Sequence, residues 1–316
     1  MTLRELNRTL LLRQMLLERK RVSAVKAVTK LVALQAQYAP SPYVALWSRV
    51  AGFRKDQLAG TISAGTLRGT LHVMSRDLYP SIAAAYIESR RGRTENLGVD
   101  IEALRIALPD EPVSRAEITA VAEHVLGTDD EWTVVFALRA IPFVRTEPVG
   151  PWPHTKPPPS VPWREPLPDA LEASIRVVRA YLAAYGPATR DDVQQFTGFK
   201  MRQIDPALEG LRERDGYWDV PRAPHAAAKA KAPVRFLPAF DSVILAHRDR
   251  ARIVPPEYVD VVFNKKNATT KNTFTADGFV AGAWRIDGKR MKIEPFAPLP
   301  AKWRREVHAE GARLLA

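Results

Sequence analysis

The chain has 316 residues, enough for two or three modules, and although 46% of them are hydrophobic no apolar run reaches the roughly 18 residues that a membrane span needs. There are no cysteines, which excludes disulfides, thiol nucleophiles, iron–sulfur clusters and cysteine-ligated zinc, and the six histidines show no metal spacing such as HxxxH, so neither metal nor cofactor is expected. The net charge of +12 is unevenly placed, with +10 on residues 1–95, −6 on 96–170 and +8 on 171–316, and two basic lobes flanking an acidic middle favour a polyanion partner.

Met1-Thr2-Leu3-Arg4-Glu5 leads straight into a helical pattern with no signal-peptide core, so a cytoplasmic protein with no membrane contact is expected. Apolar residues at 3, 6, 10, 11, 12, 15, 16 and 17 predict an amphipathic helix over 3–19. Ser23 can cap a second helix over 24–35, and Ser41-Pro42 reads as an N-cap followed by proline, opening a third helix that runs to Val50. Residues 66–74 alternate like a strand. Three helices followed by strands is the winged-helix order.

Farther along, Ser114 caps a helix over 115–126, and the segment 133–138 completes an acidic middle unit. The stretch 148–168 holds nine prolines and predicts a stiff connector, neither helix nor central strand. A second winged-helix pattern follows, with helices over 170–185, 190–196 and 201–214 and wing strands at 217–220 and 234–237. Between those strands a small, basic tip carries Arg222, Lys229 and Lys231. Strands are expected at 242–245, 258–263, 273–284 and 289–294, with Asp277-Gly278 and Asp287-Gly288 as hairpin turns, before a closing helix over 302–315.

Gln35 and Gln37 place two neutral amides where an apolar helix meets Pro40. In a helix, residues two apart lie about 200° apart around the axis, so these side chains share a site only if the helix ends between them. The residue before a proline is pushed out of the α region, which supplies that ending.

The segments LVALQAQYAPSPYVALWSRV, TLRGTLHVMSRDLY, LPAFDSVILAHRDRARIVPPEY and DGFVAGAWR followed by KIEPF resemble, in order and over nearly the whole chain, the AlkZ/YcaQ family of winged-helix DNA glycosylases. The resemblance implies an α+β, mainly helical fold, with three tandem winged-helix units around a basic concave channel and a β-rich C-terminal part. The corresponding divisions here are 1–93, 94–168, 169–240 and 241–316. It also implies double-stranded DNA carrying alkylated bases as partner, excision of alkylated purines including crosslinked guanines, and catalysis by a Gln-x-Gln motif, which Gln35 and Gln37 match. A monomer, associated with the nucleoid when bound to DNA, is expected.

Other residues fall into place around this reading. His72 and Arg68, four apart on one expected strand, would face the same side and contact the lesion or its phosphate, and Asp241 would help shape the site or join a wing to a sheet. Candidate DNA contacts are Lys26, Lys30, Arg49, Arg90, Arg91, Arg93 and Arg222, with Lys229 and Lys231 as a groove probe. The competing reading is a non-catalytic winged-helix DNA binder or transcriptional regulator, which accounts for the basic lobes but not for the paired amides.

Overall fold

The structure, a computed structural model, describes residues 1–146, 158–264 and 266–315. Thr2 and Glu5 form a capping box at the start of α1 (Leu3–Arg13). This helix buries Arg8 and Arg13 together with Leu6, Leu10 and Leu11. Such charges need partners inside the fold, and they have them: Arg8 binds Asp277 at 2.6 Å and Arg13 binds Asp219 at 2.7 Å. The helix stops at Arg13, short of the expected 19, because Met15 turns left-handed with φ 57°. Leu16 stays buried in irregular chain.

Ser23 caps α2 (Ala24–Lys30), which ends five residues before Gln35 rather than beside it. Val32, left-handed at φ 67°, breaks the run, and the chain continues as β1 (Leu34–Gln35). Next comes α3 (Pro40–Trp47), with Pro40 in its first turn; the expected cap Ser41 lies inside the helix and donates its hydroxyl hydrogen bond to the Ala239 carbonyl at 2.6 Å. β2 (Thr61–Gly65) and β3 (Leu71–Ser75) complete an antiparallel sheet of order β1-β3-β2. The strand expected over 66–74 therefore begins only at Leu71, since Leu67–Gly69 forms a 3-10 turn.

A long helix absent from the sequence reading, α4 (Tyr79–Glu95), leads to a small module of α5 (Ile101–Ala107), α6 (Arg115–Leu126) and α7 (Glu131–Leu138). The module has its own core of Leu104, Leu108, Ile118, Ala122, Val134, Ala137 and Ile141. β4 (Phe143–Arg145) pairs with β5 (Ser160–Pro162) in a two-stranded ribbon, where both strands are edges and proline is tolerated. The first part of the expected proline connector, 148–157, lies outside the described residues.

α8 (Ala170–Tyr185), capped by Asp169, is the spine and packs against α1, α2, α4 and two helices that follow it, α9 (Arg190–Thr197) and α10 (Met201–Leu208). α10 ends before the expected 214, with Gly210 left-handed at φ 73° just beyond it. β6 (Arg212–Arg214) and β7 (Tyr217–Asp219) then form a short hairpin. The expected second wing strand, β8 (Arg235–Leu237), does not pair with β7. The basic segment between them is consequently not a hairpin tip. It lies along α1, where Arg13 donates to the Pro224 carbonyl, Arg4 to that of Ala228 and Arg8 to that of Ala230.

The expected strand at 242–245 is instead α11 (Ser242–Leu245), because the Asp241 carboxylate accepts from the Val243 N–H and caps a helical turn. The expected strand at 258–263 is largely α12 (Val259–Val262), which runs into a small hairpin of β9 (Phe263–Asn264) and β10 (Thr269–Thr270). β11 (Thr273–Ala276), β12 (Phe279–Asp287) and β13 (Arg290–Pro295) join β8 in a sheet of order β13-β12-β11-β8. Asp277 and Gly278 are both left-handed at the β11–β12 turn, as a primed turn requires. A Cβ at Gly278 would run into the Arg8 guanidinium, so this turn is also where α1 is gripped. α13 (Ala301–Leu315) covers the sheet over Phe236, Phe274 and Trp284.

Candidate active site

Gln35 lies on an edge strand opposite His72 of β3, which in turn faces Ala64 of β2. The Ala36 N–H donates to the Leu71 carbonyl at 2.8 Å, which makes Gln35 and His72 a non-hydrogen-bonded pair, the register that brings facing side chains closest. Extended chain also explains how the two amides meet. Side chains two apart in a strand share a side, so Gln35 and Gln37 converge while Ala36 points into the core beneath α2 and α3. The expectation of a helix end between them is thus replaced by a strand that ends at Gln35 and a non-helical chain that continues through Ala36 to a bend at Gln37.

The Gln35 Nε2 donates to Gln37 Oε1 at 2.9 Å. Gln35 is 7% exposed and its own Oε1 is buried without a hydrogen-bond donor, whereas Gln37 is exposed. An orphaned buried carbonyl costs on the order of 1–3 kcal/mol. The pair is therefore an acceptor in want of a donor.

His72 is buried, and its Nδ1 lies 3.0 Å from the Thr70 carbonyl. Burial, and then the charge of Arg68, push its imidazole down to about 3, against the opposing effect of that hydrogen bond. The ring is neutral at physiological pH, so Nδ1 donates to Thr70 and Nε2 is left as an acceptor. Arg68 does not share a strand face with His72. It sits left-handed at φ 54° in the turn before β3 and donates to the Phe196 and Gln195 carbonyls at the end of α9.

Gln37 opens onto a cavity of about 610 Å³ between the N-terminal sheet, α4 and the α5–α7 module. Ala36, Ala83, Ile87, Ile118, Val135 and Leu138 are among its apolar lining residues, and Tyr79, Tyr86 and Phe143 add rings. Its lining cations, Arg115, Arg139 and Arg145, were not singled out in the sequence. The cavity has the size of a ligand pocket, with a lining that is part apolar and part cationic.

Two other candidates sit elsewhere. Arg49 and Asp241 form an ion pair at 2.7 Å with both side chains 0% exposed, so Arg49 offers nothing to DNA and Asp241 offers nothing to a lesion. Their role is to tie α3 to the turn before α11. Lys26, Lys30, Arg91, Arg93, Arg222, Lys229 and Lys231 are exposed. Among these, Arg91 pairs with Glu88 at 2.8 Å and Arg93 lies over the Phe136 ring at 4.7 Å. Arg90 is half-buried over Tyr86 at 4.7 Å.

The family model described as DNA glycosylase AlkZ-like matches residues 28–316. The chain belongs to the AlkZ-like DNA glycosylase family. The solved structure of Streptomyces sahachiroi DNA glycosylase AlkZ superimposes with a TM-score of 0.79 at 20% identity, covering 100% of this chain and 97% of that one, which shows a common fold. No curated sequence matches significantly. Membership of this AlkZ-like family implies DNA binding. Among the described residues no helix is long and apolar enough to cross a membrane, and no group of three or more His, Asp or Glu could hold a metal ion.

Proposed function

We propose that this AlkZ-like protein is a monofunctional DNA glycosylase that hydrolyses the N-glycosidic bond of cationic alkylated purines, N7-alkylguanine above all and crosslinked guanines with it. In this reading residues 1–93, 94–168 and 169–240 act as three winged-helix units around a DNA-binding channel, with 241–316 closing the fold, and the protein works as a monomer. The observation that carries the proposal is the Gln35–Gln37 pair, joined at 2.9 Å and holding a buried, donorless carbonyl beside a large cavity.

The chemistry suits amides. An N7-alkylated guanine is already positive, its glycosidic bond is weakened, and the departing base needs no proton. The enzyme's remaining task is to place a water at the anomeric carbon and tolerate an oxocarbenium-like sugar. Gln35 Oε1 is the acceptor for that water, and Gln37, hydrogen-bonded to Gln35, orients it. His72, held neutral, adds no positive charge against the developing sugar cation. With no general acid at hand, neutral lesions are left untouched.

Base release from duplexes carrying 7-methylguanine, hypoxanthine or uracil tests this selectivity. Release of 7-methylguanine with little of the other two is the expected outcome; appreciable uracil excision would refute amide-only catalysis.

A further inference from the structure

The segment 96–170 is acidic overall, yet three of its six cations, Arg115, Arg139 and Arg145, line the cavity beside Gln37, and among the described residues no carboxylate lines it with them. Arginines elsewhere in the protein are commonly paired: Arg105 with Glu102, Arg164 with Asp110, Arg176 with Asp77, Arg190 with Asp205. Arg115, Arg139 and Arg145 have no ion pair among the described residues. A fourth cation converges from α4. The Arg90 Nη2 and Arg139 Cζ lie 3.4 Å and 3.7 Å from where a Cβ at Gly69 would stand, and the Tyr86 hydroxyl lies 3.4 Å from the same point. Arg90 also buries an Nε with no acceptor. Gly69, left-handed at φ 73°, is the residue over which these groups can close.

Gathering like charges costs free energy unless an anion offsets it. Burial, and then the charge of Arg115, lower the Arg145 pKa from its ordinary value, consistent with the geometric crowding of these cations. Planar guanidiniums with free donors match a phosphate's oxygens bidentately. The cavity wall supplies the rings of Tyr79, Tyr86 and Phe143 beside these cations.

We propose that Arg90, Arg115, Arg139 and Arg145 form a phosphodiester-binding pocket that holds the DNA backbone next to the Gln35–Gln37 amides. These four are positioning residues. They fix where the sugar stands relative to the water-holding pair, and the module that looks acidic in sequence thereby becomes one jaw of the DNA site. The inference rests on the glycosylase reading for its biological purpose but not for its test, which uses undamaged DNA.

The test is the salt dependence of binding to an undamaged duplex by the full chain, comparing wild type with Arg139→Gln, Arg145→Gln and the double variant. Arg105→Gln, the same charge change in the same module but outside the cavity, is the control. Each cavity variant is expected to lower the slope of log K against log salt by about one unit and to weaken binding roughly five- to twentyfold near 0.1 M salt, with the control unchanged. Melting temperature without DNA should hold or rise, since a repulsion is removed. Slopes that match the control, or a fall in melting temperature with an unchanged slope, would overturn the assignment. If a glutamine variant fails to fold, the lysine variant at that position serves: weakened binding with the slope kept is expected, and unchanged affinity overturns the pocket. Inorganic phosphate, compared with chloride at matched ionic strength, separates sources. Phosphate stabilisation of wild type without any slope change would mean a free-anion site and would overturn the DNA assignment. Slopes that fall while wild type releases no base would keep the pocket and sink the catalytic reading instead.

Discussion

Two polar pairs begin in the N-terminal region, and they differ in character. Arg49 and Asp241 are fully buried and bind one another: Arg49 donates to both carboxylate oxygens and to the Ala45 carbonyl, leaving only its Nε without an acceptor, and Asp241 also caps α11. Gln35 and Gln37 share a single hydrogen bond, and the carbonyl they bury has no donor. Charges paired with one another hold elements together; amides that share one hydrogen bond at a cavity mouth are placed for something that arrives later. Left-handed backbone precedes both pairs, with Val32 at φ 67° before the amides and Phe240 at φ 60° before Asp241, so the division lies in the side chains and not in the backbone.

The sharpest way to break this contrast is to remove one charge of the ion pair. Asp241→Ala leaves Arg49 buried and alone, and should cost on the order of 3–5 kcal/mol in urea unfolding. The double variant Arg49→Met with Asp241→Leu should lose much less than the sum of the singles. Additive losses would show that the two groups do not act as a unit.

A smaller effect comes from pH. Both His72 and His247 are buried with pKa values pushed down, His72 to about 3, chiefly by burial. A histidine whose folded pKa lies below its unfolded value takes up its proton first in the unfolded chain. Native stability should therefore fall as pH drops from about 6.5 towards 3 and be unaffected by this group above 6.5. His72→Asn should flatten part of that slope in melting temperature measured from pH 7 to 4, and His247 should carry the remainder. An unaltered slope in His72→Asn would mean that the imidazole is not held neutral.

Smallest of all is the stability effect expected at the amides themselves. Gln35→Leu removes an unsatisfied carbonyl and one hydrogen bond, and should change unfolding free energy by no more than about 1 kcal/mol. A loss as large as that of Asp241→Ala would make the amides structural and erase the contrast.

How much of this was legible in the sequence varied with the range of the interactions involved. Caps made within three residues were readable: Ser23 and Ser114 cap as expected. The helix over 170–185 and the turn at Asp277-Gly278 were equally clear. Short apolar runs were not, because four or five such residues fit strand and helix alike, which is why 31–35 and 242–245 exchanged identities. Gln35 and Gln37 were found by their chemistry, though the short strand and bend that bring them together were not. Arg49 looked like any surface cation, since its partner lies 192 positions away. Arg115, Arg139 and Arg145 were hidden by the acidic average of their segment, for charge summed along a chain says nothing of which face carries it.

The central claim is that the two amides perform the chemistry, and the direct test is gel-resolved release of 7-methylguanine from a labelled duplex by wild type, Gln35→Ala and Gln37→Ala at saturating enzyme. The account predicts release by wild type and a single-turnover rate lowered about 10²-fold or more in each variant, with duplex affinity unchanged. Release by the variants at the wild-type rate would contradict it.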